Sequence, residues 1–188
     1  MKKILSIMFC LFISINIFSQ IEMDKAEVDG TRFIVSKRKS VYSLGRKGAD
    51  VGLAYIRTSS GNECYQIDLY LDEGKIEIDR GRILLIKLKD DTVIELKNCS
   101  HIGPGDYKYE EIMFAPHYYT NPMYIVSLED LKKIINGEVV KIRIENDIEF
   151  FDRNIQWNKF SKALKKAFDA IESRKKVKNV KADVHDGF

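Results

Sequence analysis

Between positions 82 and 98, hydrophobic and polar residues alternate in two runs with a break between them. Ile86 and Leu88 flank Lys87, and Ile94 and Leu96 alternate with Glu95 and Lys97, on either side of Lys89-Asp90-Asp91-Thr92. A period of two sends successive side chains to opposite faces of a strand. Short acidic side chains that bond their own backbone favour a tight turn between two such strands. The spacing therefore predicts a hairpin over 82–98. Ile83 to Ile86 is apolar at every position, which predicts a central strand with material packed on both faces.

Related patterns recur on both sides of this hairpin. Residues 31–36 and 41–44 are short apolar runs across Lys37-Arg38-Lys39 and read as a first hairpin. Residues 50–57 and 64–71 form a second pair across Thr58-Ser59-Ser60-Gly61-Asn62. In its second member Tyr65, Ile67, Leu69 and Leu71 share one face, and Gln66, Asp68 and Tyr70 the other. Residues 75–79 read as a highly charged edge strand. Further on, 123–126, 140–144 and 148–151 are strand patterns.

Two stretches read as helices. Ser127 stands ahead of Leu128-Glu129-Asp130, where its hydroxyl can accept from a backbone N–H three residues on. Asn136-Gly137 predicts a left-handed end to that helix. Trp157, Phe160, Leu164, Ala167, Phe168 and Ile171 recur at spacings of three and four, the mark of an amphipathic helix laid on a sheet. Beyond Ser173 the apolar stripe is lost. The fold class that follows is α+β: an antiparallel twisted sheet or open barrel, with a short connecting helix and a long C-terminal amphipathic helix packed on it. The domain is predicted over 20–173 and a basic disordered tail over 174–188.

The N-terminus adds a destination. Met1-Lys2-Lys3 precedes an apolar run from Ile4 to Phe18, and Ser19 offers a small residue for cleavage. Residues 1–19 thus read as a secretory signal peptide, too short and interrupted for a membrane span. The protein is expected to be exported, periplasmic or secreted, with no stable membrane span in the mature chain. The chain has 31 basic and 28 acidic residues; Lys2 and Lys3 leave with the signal, so 29 oppose 28. That near-neutral balance argues against a nucleic-acid partner. With its Lys-Lys start and Ser-Gln junction, the signal resembles export signals of Bacteroidetes-type bacteria. The mature part resembles uncharacterised small secreted proteins of that group in its order of strands, short helix, strand and final helix. No motif matches residue by residue, so no functional site is carried over.

Familiar catalytic and cofactor signatures are absent from the sequence, and no cofactor is predicted. His101, Asp106, Glu110 and His117 lie in one segment, but their spacing follows no zinc-ligand rule, and no metal is assigned. Cys64 begins one strand and Cys99 ends another. An oxidising destination makes them a disulfide candidate at one end of the sheet. The most unusual stretch is 99–124, which shows no period. It holds every proline of the chain and five of its nine tyrosines. Tyrosine offers a flat apolar face and a polar tip, and prolines stiffen the loop that carries it. The chain is therefore read as a small binding or interaction module for a protein or glycan. Tyr107, Tyr109, Tyr118 and Tyr119 are its candidate anchors. The alternative is a hydrolase-like enzyme built around His101 and His117.

Overall fold

The computed structural model describes residues 20–44, 47–74, 76–100, 108–112 and 115–185, with the side chains of 44, 47, 108–117 and 177–185 outside that description. Its longest ladder joins β4 (Lys47–Arg57) to β5 (Glu63–Asp72), paired from Gly48 opposite Asp72 to Arg57 opposite Glu63. The turn is the one the composition predicts. Thr58 N–H donates to the Asn62 carbonyl at 2.9 Å, and Gly61 takes φ +86°, a conformation that costs glycine nothing.

One edge of β4 carries two strands end to end. β2 (Arg32–Ser36) pairs with Arg57 to Ala54, and β3 (Lys39–Leu44) with Val51 to Lys47. The first hairpin predicted for these two segments is thus corrected: neither pairs with the other. At the crossing point the Ser36 hydroxyl accepts from Leu53 N–H at 2.9 Å, so the step between them leaves no orphan donor there. β1 (Ile21–Ala26) pairs on the far side of β2 and forms one end of the sheet.

On the other side of β5 come β10 (Met123–Val126), β7 (Val93–Asn98), β6 (Ile83–Leu88), β11 (Val139–Glu145) and β12 (Phe150–Asn154), all antiparallel to their neighbours. The path from β1 to β12 does not close. β6 and β7 form the predicted hairpin, with Asp91 at φ 66° and Leu88 N–H donating to Thr92 O at 2.8 Å. β6 is central, but only Leu84, Ile86 and Leu88 are buried. On its other face Leu85 and Lys87 border a shallow groove with Val93 and Arg143, so material packs on one side only. In β11 a register shift between Val139 and Lys141 buries Val139 in place of Val140. The predicted edge strand at 75–79 is not present among its described residues. Ile78 makes a single bridge and is fully buried, and Asn98 Nδ2 binds the carbonyls of Ile78 and Asp79 at 3.2 and 3.0 Å.

Helix α1 (Leu128–Asn136) starts as predicted: Asp130 N–H donates to Ser127 Oγ at 3.0 Å. Its end differs. Gly137 is extended, not left-handed, and a Cβ there would sit 2.9 Å from Lys133 O and 3.0 Å from Leu88 Cδ1. Close approach, not positive φ, makes glycine necessary. Helix α2 (Lys159–His185) lies across β2, β3 and β4 and touches α1 and β11. Phe160, Leu164, Ala167 and Ile171 enter the core, and Phe168 packs partly against it with its ring 5.9 Å from that of Tyr65. Trp157 is not on this stripe. It precedes the helix at φ 55° and is 74% exposed. Nor does the helix stop at Ser173. Arg174 donates to Asp24 at 2.6 Å, and Lys175 lies 3.1 Å from Glu63 and 3.0 Å from Glu172, which draws the start of the predicted tail onto the sheet. Among the described residues no helix is long and apolar enough to cross a membrane.

Candidate functional site

The segment that shows no period in sequence is partly regular in space. β9 (Ala115–Thr120) pairs with β5 through Thr120 opposite Leu71 and Tyr119 opposite Asp72. β10 continues along the same strand with Met123 opposite Asp68, so β9 and β10 are one line of pairing broken at Asn121-Pro122. Proline cannot donate to a ladder, yet its carbonyl still accepts from Leu69 N–H at 3.1 Å. β8 (Lys108–Ile112) returns along β9, with Tyr109 opposite Tyr118 and Glu110 opposite His117. The result is a two-stranded arm that extends the sheet beside β5.

Of the four candidate tyrosines, Tyr107 lies outside the described residues. Tyr109 is on β8 directly across from Tyr118, its side chain outside the description. Tyr118 and Tyr119 are both half-buried neighbours on β9. His101 is also outside the described residues, and His117 is placed by its backbone alone. Among the described residues no group of three or more histidine, cysteine or acidic side chains is arranged to hold a metal ion.

Tyr119 is the candidate whose surroundings are most developed. Its ring stacks on Tyr70, centroids 4.9 Å apart and planes within 16°. Centroid separations of about 4.5–7 Å are favourable for aromatic pairs. The Arg38 guanidinium lies 5.0 Å from the Tyr70 centroid. Arg38 Nε donates to Asp68 Oδ2 at 2.8 Å, and Nη2 donates to Asn121 Oδ1 at 2.8 Å. One arginine thus ties the loop after β2 to β5 and to the joint between β9 and β10. Gly52 opens its path: a Cβ there would meet Arg38 Cγ at 3.2 Å and Ser36 O at 3.5 Å.

Beneath Arg38 the carboxylate of Asp68 is almost completely covered, its residue 5% exposed, and Oδ1 is buried with no hydrogen-bond partner. Burial pushes the Asp68 carboxyl up from its ordinary value of 3.8, and Arg38 opposes that shift. Asp50, opposite Tyr70 on β4, is raised by burial as well and is also opposed by Arg38. A single guanidinium therefore faces two acids, each less willing to ionise than a free aspartate. The arrangement joins a flat aromatic pair to a fixed set of hydrogen-bonding groups, which is the make-up of a recognition surface.

Sequence pattern alone does not lead to this cluster. Arg38 stands in a charged Lys37-Arg38-Lys39 break, and Asp68 and Tyr70 fall on the face of an alternating strand that reads as solvated. The one available signal is an acid in mid-strand beside a tyrosine.

The two cysteines of the disulfide candidate are not joined in this structure. β5 and β7 are both antiparallel to β10, so they run parallel to each other. Across β10, Asn98 lies level with Ile67, so Cys99 at the end of β7 sits beside the middle of β5, about four residues further along than Cys64 and two strands away. Cys64 and Cys99 are free, their Sγ atoms donating to the carbonyls of Tyr65 at 3.5 Å and Met123 at 3.1 Å. Burial pushes both thiols up from their ordinary range, which disfavours the reactive thiolate.

The chain matches no family model, no curated protein and no solved structure.

Proposed function

We propose that this chain is an exported binding module whose contact surface is the aromatic and polar face where β9 meets β5. Tyr119 is its anchor, and Tyr70 and Arg38 support it. The observation that carries this reading is the stack of Tyr119 on Tyr70 beside an Arg38 that is itself tied to Asp68 and Asn121. Such a surface has little rotamer freedom left to lose, so ordering costs on binding are small. Tyrosine and arginine are also the residue types that dominate binding energy at interfaces. Export is supported by the leader, with its Met1-Lys2-Lys3 start and Ser19-Gln20 junction. The partner is a protein or a glycan of the envelope.

The test is capture from a host envelope extract by the immobilised mature protein, with and without protease treatment of the extract. Tyr119→Ala should lose roughly 1–2 kcal/mol or more of binding. Tyr118, the neighbour whose side chain leaves an extended strand in the opposite direction, should matter less. A partner that survives protease is a glycan; one that is destroyed is a protein. Capture by Tyr119→Ala equal to wild type removes the contact from this surface.

A further inference from the structure

We propose a second binding site, for a small molecule bearing a carboxylate or phosphate group, in the cleft between β3, β12 and the start of α2. It stands whether or not the β5–β9 surface binds a partner. The cleft encloses about 350 Å³ and is lined by Tyr42, Ser43, Arg153, Asn154, Gln156 and Lys159, among others. That volume lies in the range of small-molecule sites, roughly 300–1,000 Å³.

Arg153 is the fixed feature of the lining. Its Nε donates to Glu73 Oε1 at 2.7 Å, its Nη2 to the other Glu73 oxygen, and its Nη1 to the Asp152 carbonyl at 2.7 Å. The Glu73 side chain is 3% exposed, so the counter-ion is buried away from solvent. Tyr42 spends its hydroxyl proton on the same Glu73 carboxylate. The rings of Phe151 and Tyr42 lie 5.2 and 5.8 Å from the guanidinium carbon. A guanidinium has five N–H groups. Three are occupied by Glu73 and the Asp152 carbonyl, and the Tyr42 hydroxyl is a further hydrogen-bond partner, so the guanidinium is held still at the cleft wall.

The charge balance decides the ligand class. Glu73 offsets Arg153. Asp152, the acid of the lining, is offset by Arg143 at 2.6 Å and by Lys141, which hold its carboxyl well below the usual carboxylate range. Lys159 remains. It is exposed at the first position of α2, its ammonium lies 5.2 Å from the Trp157 ring centroid, and among the described residues it has no carboxylate partner. The cleft therefore carries one unmatched positive charge, on Lys159, beside a fixed guanidinium and the hydrogen-bonding side chains of Ser43, Asn154 and Gln156. An oxyanion satisfies the charge and the donors together, because hydrogen bonds to an ionised acceptor are the strong ones. A neutral sugar would leave the charge unmatched.

The experiment is an amide NMR titration of the full mature protein with inorganic phosphate, with galacturonate as a carboxylate, and with galactose as the neutral counterpart, at constant ionic strength. Shifts at Ser43, Asn154 and Gln156 are expected with phosphate, galacturonate or both, saturating in the millimolar range or below, and not with galactose. Phosphate alone identifies a phosphoryl ligand, galacturonate alone a carboxylate, and both together the shared oxyanion chemistry. Lys159→Gln, an exposed substitution that spares the core, should weaken binding roughly tenfold. The proposal fails if neither anion shifts these amides, if galactose shifts them equally, or if Lys159→Gln binds as tightly as wild type.

Discussion

The two faces of β5 solve opposite problems. On its inner face Tyr65, Ile67, Leu69 and Leu71 join a core that α2 closes with Phe160, Leu164 and Ile171. Ala163, Ala167 and Ala170 are buried on the same helix, small enough to let its backbone come close to the sheet. Folding alone accounts for every one of these contacts. On the outer face Asp68 is nearly as buried as the core leucines, yet its Oδ1 has no hydrogen-bond partner and a single arginine offsets its charge. Burying a charge costs stability unless it is well paired. One face maximises stability, and the other spends some of it on a fixed polar arrangement. That contrast is why the proposed binding surface is placed on the outer face.

The sharpest way to break the contrast is to remove a core ring. Phe160 is fully buried, and Phe160→Ala should cost about 3–5 kcal/mol through lost transfer energy and the cavity left behind. Urea unfolding measures it. A loss below about 1 kcal/mol would mean that α2 does not seal the inner face.

The outer face predicts a smaller loss with a pH signature. Arg38→Ala strands the Asp68 carboxylate and should cost about 2–3 kcal/mol near neutral pH. That is below the range of a fully buried pair, because 29% of the Arg38 side chain meets solvent. The sign follows from the raised Asp68 carboxyl. The folded protein holds that proton more tightly than the unfolded chain. Between the ordinary value of 3.8 and the raised one, stability therefore falls as pH rises. Asp68→Asn should remove that part of the decline, and Arg38→Ala should be least damaging in acid. A stability–pH curve unchanged by Asp68→Asn would show that the carboxylate is effectively solvated.

What the sequence reveals follows the range of the interactions involved. The hairpins 58–62 and 89–92, the Ser127 cap and the buried stripe from Phe160 to Ile171 depend on neighbours within a few residues, and they are legible. Arg38 with Asp68, and Asp24 with Arg174, are pairs whose members lie far apart along the chain. No local period announces them. Gly137 was legible as an end of a helix but not as a close approach to Leu88, which comes from another strand. The β8–β9 arm was hidden because Pro116 and the run of tyrosines obscure alternation that the backbone nonetheless adopts.

Ser127 belongs to the local class and should behave accordingly. Its hydroxyl accepts from Asp130 N–H at 3.0 Å and donates to the Asp130 carboxylate at 2.8 Å. Ser127→Ala should cost about 1 kcal/mol, measured as a shift in unfolding midpoint with no change in partner capture. Ser127→Asp should recover most of it, since a carboxylate can accept the same bond. Equal losses in both variants would mean that the hydroxyl's second bond, to Asp130, matters more than the cap.

The smallest effect is expected where sequence and structure disagree most. Spacing places Trp157 on the core stripe three residues before Phe160, yet its backbone lies in the left-handed region, ahead of the first turn, and its ring is exposed. Asn158 shares that conformation and uses its side chain to join the elements. Its Oδ1 accepts from Val139 N–H at 3.1 Å, and its Nδ2 donates to Gly137 O at 3.2 Å. The chain thus turns outward at Trp157 so that Asn158 can reach the end of α1 and the start of β11. Trp157→Ala should change stability by no more than about 0.5 kcal/mol, where a core tryptophan would cost about 3–5 kcal/mol. As the sole tryptophan of the chain, it reports on itself: its fluorescence should already be that of a water-exposed indole in the folded protein and shift little on unfolding. A blue-shifted native emission, or a loss near that of Phe160→Ala, would return the ring to the core and move the start of the α2 seam to Trp157.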